Sequence, residues 1–352
     1  MLADGSQVAI LTAIIGAAAS LIIAILGIVA GTRSQRQASK TACELEELKD
    51  DLASRRADVD AKRDYEYEAR KRLYAQCEPL VFEALELARN ARFRVISLAR
   101  SARLGEIRPN GSGWLSRPGY YFQSTSFMLL APITSSKILQ RSLTHVDLRL
   151  EPRLRMQYEL LKLIFLSFTD HFALAEGPPR LDYDPDRADP GQPKREELLA
   201  NEPQIYARQG FYLGSLEVIA EQLITYSGGV ARCKSFGEFL LELGEKDSQV
   251  HALVPEFTAM FGGFHPWRKP VLWRILVSQL LLYDAFLQTE QWSDGKQPGL
   301  DGLLDLDGVA ELDWRTNPSE SSDQAIREVF EVGRNYAAGK FAAIEQRLNR
   351  GA

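Results

Sequence analysis

A long run without charged residues lies near the N-terminus and constrains the fold more than any other feature. From Gly5 to Thr32 the chain carries no charge, and the apolar centre of this run is Val8 to Ala30. A helix needs about 20 apolar residues to cross a bilayer, because each residue adds about 1.5 Å along the helix axis. The run therefore predicts a transmembrane helix, with residues 1–32 as the anchor.

A cleaved signal peptide and a buried core helix both fit the run less well than a membrane span does. A cleaved signal peptide has a basic start and an apolar centre of about 7–15 residues. Here no Lys or Arg precedes the run, and Ile28-Val29-Ala30 matches a cleavage site poorly. A buried core helix is usually shorter and interrupted by charge. We expect a retained single-pass helix in the cell membrane.

The charges on either side of the run predict its orientation. Arg33, Arg36 and Lys40 follow the apolar run, and only Asp4 and the terminal amine precede it. Because basic residues next to a span stay in the cytoplasm, we expect the N-terminus outside and the large C-terminal domain in the cytoplasm. The chain has only three cysteines, at unpatterned positions, which suits a reducing compartment.

Small residues recur at helical spacing inside the run. They include Gly16, Ser20, Ala24 and Gly27. Such positions let two helix backbones approach closely in lipid, so they predict a homo-oligomer formed through the span. The alternative is the ordinary alanine and glycine content of a membrane helix.

Residues 33–78 are polar and favour a helix, and we interpret them as a stalk next to the membrane. Leu45, Leu48 and Leu52 follow a heptad pattern for about two heptads, fewer than a coiled coil requires. A short dimeric coiled coil and a solvated helix both remain open. Pro79 predicts a break or kink in the helical pattern, after which a new helix would begin.

Residues 79–352 are predicted to form one all-α cytoplasmic domain. The long apolar segments have helical period and almost no period-two alternation; they are 126–143, 154–174, 205–225, 236–243, 270–289 and 322–348. Loops are expected at 108–119, 177–203, 261–270 and 291–318. The apolar segments 118–136 and 271–287 are not expected to be further spans, because the first is too polar and the second contains two charges. We expect a core helix, or a loop followed by a helix, in the first and a buried core helix in the second.

Charge is distributed unevenly along the chain, although the net charge is only −5. Residues 89–162 contain 13 Lys/Arg and 4 Asp/Glu, whereas residues 290–331 contain 3 and 11. Arg89, Arg92, Arg100 and Arg103 fall within about 80° on one helix face. These arginines could pack against the acidic segment, contact anionic lipid headgroups, or bind phosphate or nucleic acid. The last reading is disfavoured because no nucleic-acid-binding motif accompanies them.

Catalytic and metal-binding motifs are absent from the sequence. There is no phosphate-binding loop, no H-E-x-x-H and no G-x-S-x-G. The acidic stretches near Asp182 and Asp305 lack the glycine and glutamate of a calcium loop. His145, His171, His251 and His265 do not pair at helical spacing, and we expect surface or core roles for them. The sequence predicts no cofactor, no metal site and no catalytic residue.

The segment Gly113–Tyr121 is rich in aromatic residues, glycine and proline. Tyrosine and tryptophan occur often at partner interfaces and at the membrane surface. The alternative is a loop held against the core by its aromatic side chains.

Three stretches resemble uncharacterised bacterial membrane-anchored helical proteins: LYAQCEPLVFEALELA, GWLSRPGYYFQST and SLTHVDLRLEPRL. The resemblance extends from about residue 70 onward. It implies a helical fold behind an anchor and no activity.

These observations lead to three hypotheses about function. The first is a non-enzymatic membrane-anchored protein whose helical domain binds an unknown protein partner in a regulatory role. The second is a membrane effector whose span oligomerises when the cytoplasmic domain is triggered. The third is an enzyme with an unrecognised helical site, near His171 or His265.

Overall fold

The computed structural model describes residues 4–108, 110–116, 118–143, 148–178, 180–181, 183, 185, 208–266, 268–291 and 322–350. The described chain is 79% helical and 4% strand, so the expectation of a mostly helical fold is confirmed. The chain divides into two compact units, residues 1–69 and 70–352.

Helix α1 comprises Asp4–Arg103 and supplies the described part of the first unit. The predicted break at Pro79 and a new helix after it are not present: α1 continues through this proline. Proline lacks the N–H that would bond the carbonyl of Ala75. Buried residues on both sides of it, including Leu73, Cys77 and Val81, hold this part of the helix in the core of the second unit.

The N-terminal part of α1 is long and apolar enough to cross a membrane. Its side chains from Ile10 onward are exposed, and none of its most apolar window is buried. A signal sequence passes the same test of length and composition. Exposed apolar side chains over this length suit a helix surrounded by lipid.

The second unit contains the other described helices and strands. The α-helices are α2 (Tyr120–Ser142), α3 (Pro152–Ser167), α4 (His171–Glu176), α5 (Leu213–Gln222), α6 (Phe236–Gly244), α7 (Val254–Phe261), α8 (Pro270–Gln288) and α9 (Ser322–Arg350). Short 3₁₀ turns lie at Leu148–Leu150, His251–Leu253 and Thr289–Gln291.

Two helices form the centre of this unit. Helix α2 packs against α3, α5, α6 and α7, and helix α8 packs against α3, α4 and α9. Most residues of both central helices are buried, and 83% of the apolar window of α8 is covered by the rest of the fold. The expectation that 118–136 and 271–287 contain core helices is therefore confirmed.

A small hairpin is the main departure from the all-α prediction. Strand β1 (Ile224–Ser227) pairs antiparallel with β2 (Val230–Cys233), and the register places Ile224 opposite Cys233. Gly228 and Gly229 connect the strands with positive φ of 58° and 82°. Glycine adopts this backbone without strain, which is why a two-residue Gly-Gly turn closes a hairpin so readily.

Helix boundaries differ from the prediction in two further places. The segment 154–174 contains two helices rather than one, because α3 ends at Ser167 and α4 begins at His171. The segment 205–225 contains α5 followed by the first strand. The predicted loops at 177–203 and 291–318 lie almost entirely outside the described residues, as do His145 and most of the acidic segment 290–331.

Candidate functional site

The four predicted arginines lie in the part of α1 that belongs to the second unit. At 100° per residue, six residues share one side of α1 and its C-terminal end: Phe82, Arg89, Phe93, Arg100, Arg103 and Leu104. We call this set of residues the α1 outer face. Its apolar members are strongly exposed: Phe82 by 63%, Phe93 by 66% and Leu104 by 62%.

Arg89 and Arg92 are engaged within the fold. Arg89 forms ion pairs with Glu86 and with Glu290, which follows α8 in the chain. Arg92 forms an ion pair with Asp284 of α8. Burial raises the pKa of the Asp284 carboxyl, and the bond from Arg92 opposes that rise. These two arginines therefore dock α1 onto the end of α8.

Arg100 and Arg103 are exposed and differ from the first two. Neither forms an ion pair with any residue that the structure describes. They lie at the C-terminal end of α1, where the helix dipole favours positive charge. Of the four predicted arginines, Arg89 and Arg92 are thus held within the fold, whereas Arg100 and Arg103 are open to solvent.

His171 is buried beside Tyr183, which agrees with a core role. Its Nδ1 lies 3.0 Å from the Tyr183 hydroxyl, and the backbone N–H of Gln209 donates to the same hydroxyl at 3.0 Å. Asp170 accepts from Tyr336 at 2.6 Å and from Lys340 at 2.8 Å, both on α9. Burial raises the pKa of Tyr336, and the Asp170 carboxylate raises it further. These bonds tie α4 to its neighbours.

His265 and Lys269 lie in the segment between α7 and α8. Burial lowers the pKa of His265 to about 4 and that of Lys269 to about 7. The Lys269 Nζ donates to the carbonyls of Ala259 and Met260, at 2.6 and 2.8 Å, in the last turn of α7. Lysine near a helix C-terminus satisfies carbonyls that lack an intrahelical partner. The geometry assigns this lysine a capping role.

The segment Gly113–Tyr121 is partly anchored and partly exposed. The carbonyl of Leu115 accepts from the Gly263 N–H at 2.8 Å, and the Leu115 side chain is buried. Trp114 meets the Tyr121 ring edge-on at 5.1 Å but is itself half exposed. Leu115 therefore holds this part of the segment against the core, whereas an interface role for the exposed aromatic side chains stays a prediction; Arg117 lies outside the described residues.

The predicted association residues of the span lie on the exposed surface of α1. A Cβ placed at Gly16 or Gly27 would meet nothing within 4 Å. The Ser20 hydroxyl donates to the Gly16 carbonyl at 2.9 Å, so its polarity is satisfied within the helix. Ala24 is likewise exposed, as are Leu45, Leu48 and Leu52 of the stalk.

Comparison with known proteins brings no assignment: no protein-family model matches the chain, and no curated protein or solved structure matches it significantly.

Among the described residues there is no group of three or more His, Cys, Asp or Glu side chains that could hold a metal ion. The buried cations Arg94, Lys269 and Arg274 were not singled out from the sequence as site residues. A signal existed for Arg94 and Arg274, because each interrupts an apolar helical pattern at a position where a hydrophobic side chain would be expected. Lys269 lies in the predicted loop 261–270 and carried no such signal.

Proposed function

We propose that this chain is a single-pass membrane protein whose helical cytoplasmic domain binds an acidic segment of a partner protein through the α1 outer face. The observation that carries the proposal is the combination of exposed Phe93 and Leu104 with the exposed Arg100 and Arg103 on one short stretch of helix. Aromatic and arginine side chains dominate the binding energy of protein interfaces.

Charge complementarity favours an acidic partner. Arg89 and Arg92 each take a carboxylate from elsewhere in the fold. Arg100 and Arg103 lie about two to four turns further along α1 and take none from the described residues. A partner that supplies two carboxylates and an apolar side chain between them would complete the same pattern. An acidic amphipathic helix has this chemistry.

The anchor supports a function at the membrane. The apolar run has no basic side chain before it and basic residues directly after it, which favours a retained span with the domain in the cytoplasm. Labelling of Cys43 tests this orientation, because Cys43 is the exposed cysteine whereas Cys77 and Cys233 are buried. We expect a membrane-impermeant maleimide to label Cys43 only after the membrane is permeabilised. Labelling in intact cells would contradict the orientation.

The binding test compares two charge reversals in the full chain. Arg100→Glu with Arg103→Glu removes the proposed contacts, and Lys246→Glu with Arg180→Glu makes the same change in charge at other exposed positions. We expect one protein to co-purify with the wild type and with the control but not with the first variant. Equal recovery with both variants would refute the role of the α1 outer face.

A homo-oligomer formed through Gly16, Ser20, Ala24 and Gly27 is compatible with this function. Close approach of two helices at these residues requires open space beside the glycines, and the structure has it. Two anchored copies would present two α1 outer faces to a partner and increase the apparent affinity.

A further inference from the structure

Arg94 differs from the other buried cations of the second unit in how its charge is satisfied. Lys269 donates to two backbone carbonyls. The Nη1 of Arg274 donates to the carbonyls of Leu174 and Gly177 at 2.6 and 3.0 Å. A buried cation that meets several carbonyl oxygens has strong acceptors in place of water. Lys269 and Arg274 can therefore be buried, because each binds the carbonyl oxygens at the end of a helix.

The guanidinium of Arg94 has weaker partners, although the side chain is only 6% exposed. Its Nη2 donates to the Ser124 hydroxyl at 3.0 Å, and its Nε and Nη2 each lie 3.3 Å from the sulfur of Met128. A thioether sulfur is a weak acceptor. No carboxylate among the described residues pairs with Arg94, and its Nη1 donates no hydrogen bond to any of them.

An aromatic ring supplies the rest of the stabilisation. The Cζ of Arg94 lies 4.7 Å from the centroid of the Tyr121 ring, within the range of a cation–π contact. Such a contact is weaker than the cost of removing an ion from water, even when the contact is desolvated. The site therefore holds a positive charge that an anion would stabilise.

Hydroxyl groups surround the same ring. The Tyr121 hydroxyl lies 2.9 Å from Ser101 Oγ and 3.3 Å from Ser97 Oγ. Arg94, Ser97 and Ser101 are spaced at i, i+3 and i+7, so they line one face of α1. Hydroxyl hydrogens rotate, and these groups can turn from one another to donate to an oxyanion.

One member of the cluster and one neighbouring side chain reach solvent. Ser97 is half-buried, and Trp114, in edge contact with Tyr121, is 51% exposed. Arg100 and Arg103 follow on the same helix and add positive charge near this end of α1. The Nη1 of Arg94 has no partner among the described residues and is not a fully buried atom, so a small anion would meet the cluster at this nitrogen.

We propose that Arg94, with the hydroxyls of Ser97, Ser101 and Tyr121, forms a binding site for a small oxyanion, a carboxylate or a phosphate group. The planar edge of a guanidinium matches the two oxygens of either group. This site goes beyond the proposed partner surface, because it would make the domain respond to a small anionic ligand. It does not require that the α1 outer face bind a protein.

The test uses the purified full chain in detergent micelles and two probes, sodium phosphate and sodium acetate, each titrated at constant ionic strength against chloride. We expect at least one probe to raise the unfolding temperature in a saturable way. Arg94→Met is expected to weaken the binding by about tenfold or more, because a hydrogen-bonded charge is lost. The two probes separate a phosphate from a carboxylate ligand.

A second variant keeps the test decisive if Arg94→Met does not fold. Tyr121→Phe retains the ring over the guanidinium and removes only the hydroxyl, and we expect it to fold and to bind the anion several-fold more weakly. Lys246→Gln removes an exposed charge outside the cluster and the α1 outer face, so it is the control for general surface charge and should retain binding. The proposal is overturned if neither probe gives a saturable shift, or if Lys246→Gln weakens binding as much as the substitutions in the cluster.

Discussion

Replacing Lys269 with methionine removes a buried amine whose pKa burial lowers to about 7. The substitution keeps the length of the side chain but leaves the carbonyls of Ala259 and Met260 without their donor. In the unfolded chain a lysine keeps its proton up to about pH 10.4. Between these two pKa values the unfolded state binds more protons than the folded state, so the wild-type protein becomes more stable as the pH rises.

The size of the effect follows from the two pKa values. Each pH unit inside the window changes the free energy of unfolding by at most about 1.4 kcal/mol. Half of the folded molecules already lack the proton at pH 7, so a rise to pH 9 should stabilise the wild type by about 2 kcal/mol through this group. Lys269→Met cannot titrate and lacks this gain. It also loses about 1–3 kcal/mol at all pH values, because two buried carbonyls lose their partner.

Urea unfolding at pH 7, 8 and 9, followed by tryptophan fluorescence, measures the difference. All five tryptophans follow residue 113 in the chain, so the signal reports on the second unit. Burial raises the pKa of the Cys77 thiol, and it raises that of Cys233 to about 12, which opposes the lysine at high pH. Both proteins contain these thiols, so the contribution of the thiols to the free energy of unfolding cancels when the two proteins are compared.

The stability difference between wild type and Lys269→Met should widen by about 2 kcal/mol from pH 7 to pH 9. Lys246→Met, which removes an exposed amine, serves as the control for the loss of one lysine. A difference that stays constant with pH would refute the reasoning, because it would mean that burial does not displace the titration of this amine.

Three further predictions concern packing and association. Arg92→Leu should cost about 1–3 kcal/mol in urea unfolding, because Asp284 is left without its cation, and Asp284→Asn should recover part of this loss in the double variant. Gly113→Ala should destabilise the domain by more than Gly105→Ala. Both glycines have positive φ, but only at Gly113 would an added Cβ lie 2.0 Å from the Glu106 carbonyl oxygen. Thermal unfolding of the two variants measures the difference. Gly27→Ile should reduce dimer cross-linking of the full chain in membranes, because a large side chain keeps two helix backbones apart.

The helical period in the sequence predicts the central helices well. Apolar residues recur with a period near 3.6 through the segments that form α2, α8 and α9, and these segments are long enough to distinguish a helix from a strand. The hairpin at 224–233 carries a weaker signal, because each strand has only four residues. The Gly-Gly pair between Thr225 and Val230 was the feature that could have revealed it.

Long-range contacts made the candidate site only partly predictable. Periodicity places Arg89 and Arg92 on one side of a helix, but their partners Glu290 and Asp284 lie about 200 residues away in the sequence. The sequence around each arginine does not indicate which distant residue it will contact. Pro79 shows the opposite case, in which a local signal for a break is overridden by burial of the helix on both sides.

Site-specific photo-cross-linking at the α1 outer face tests the central claim most directly. A photoreactive side chain at Phe93 in the full chain, activated in intact membranes, should form a product with one partner protein. The same group at Leu241, which is also strongly exposed, should not form it. Adding Arg100→Glu and Arg103→Glu should abolish the product at Phe93. A product of equal yield at both positions, or one that survives the charge reversal, would contradict the claim that this surface binds an acidic partner.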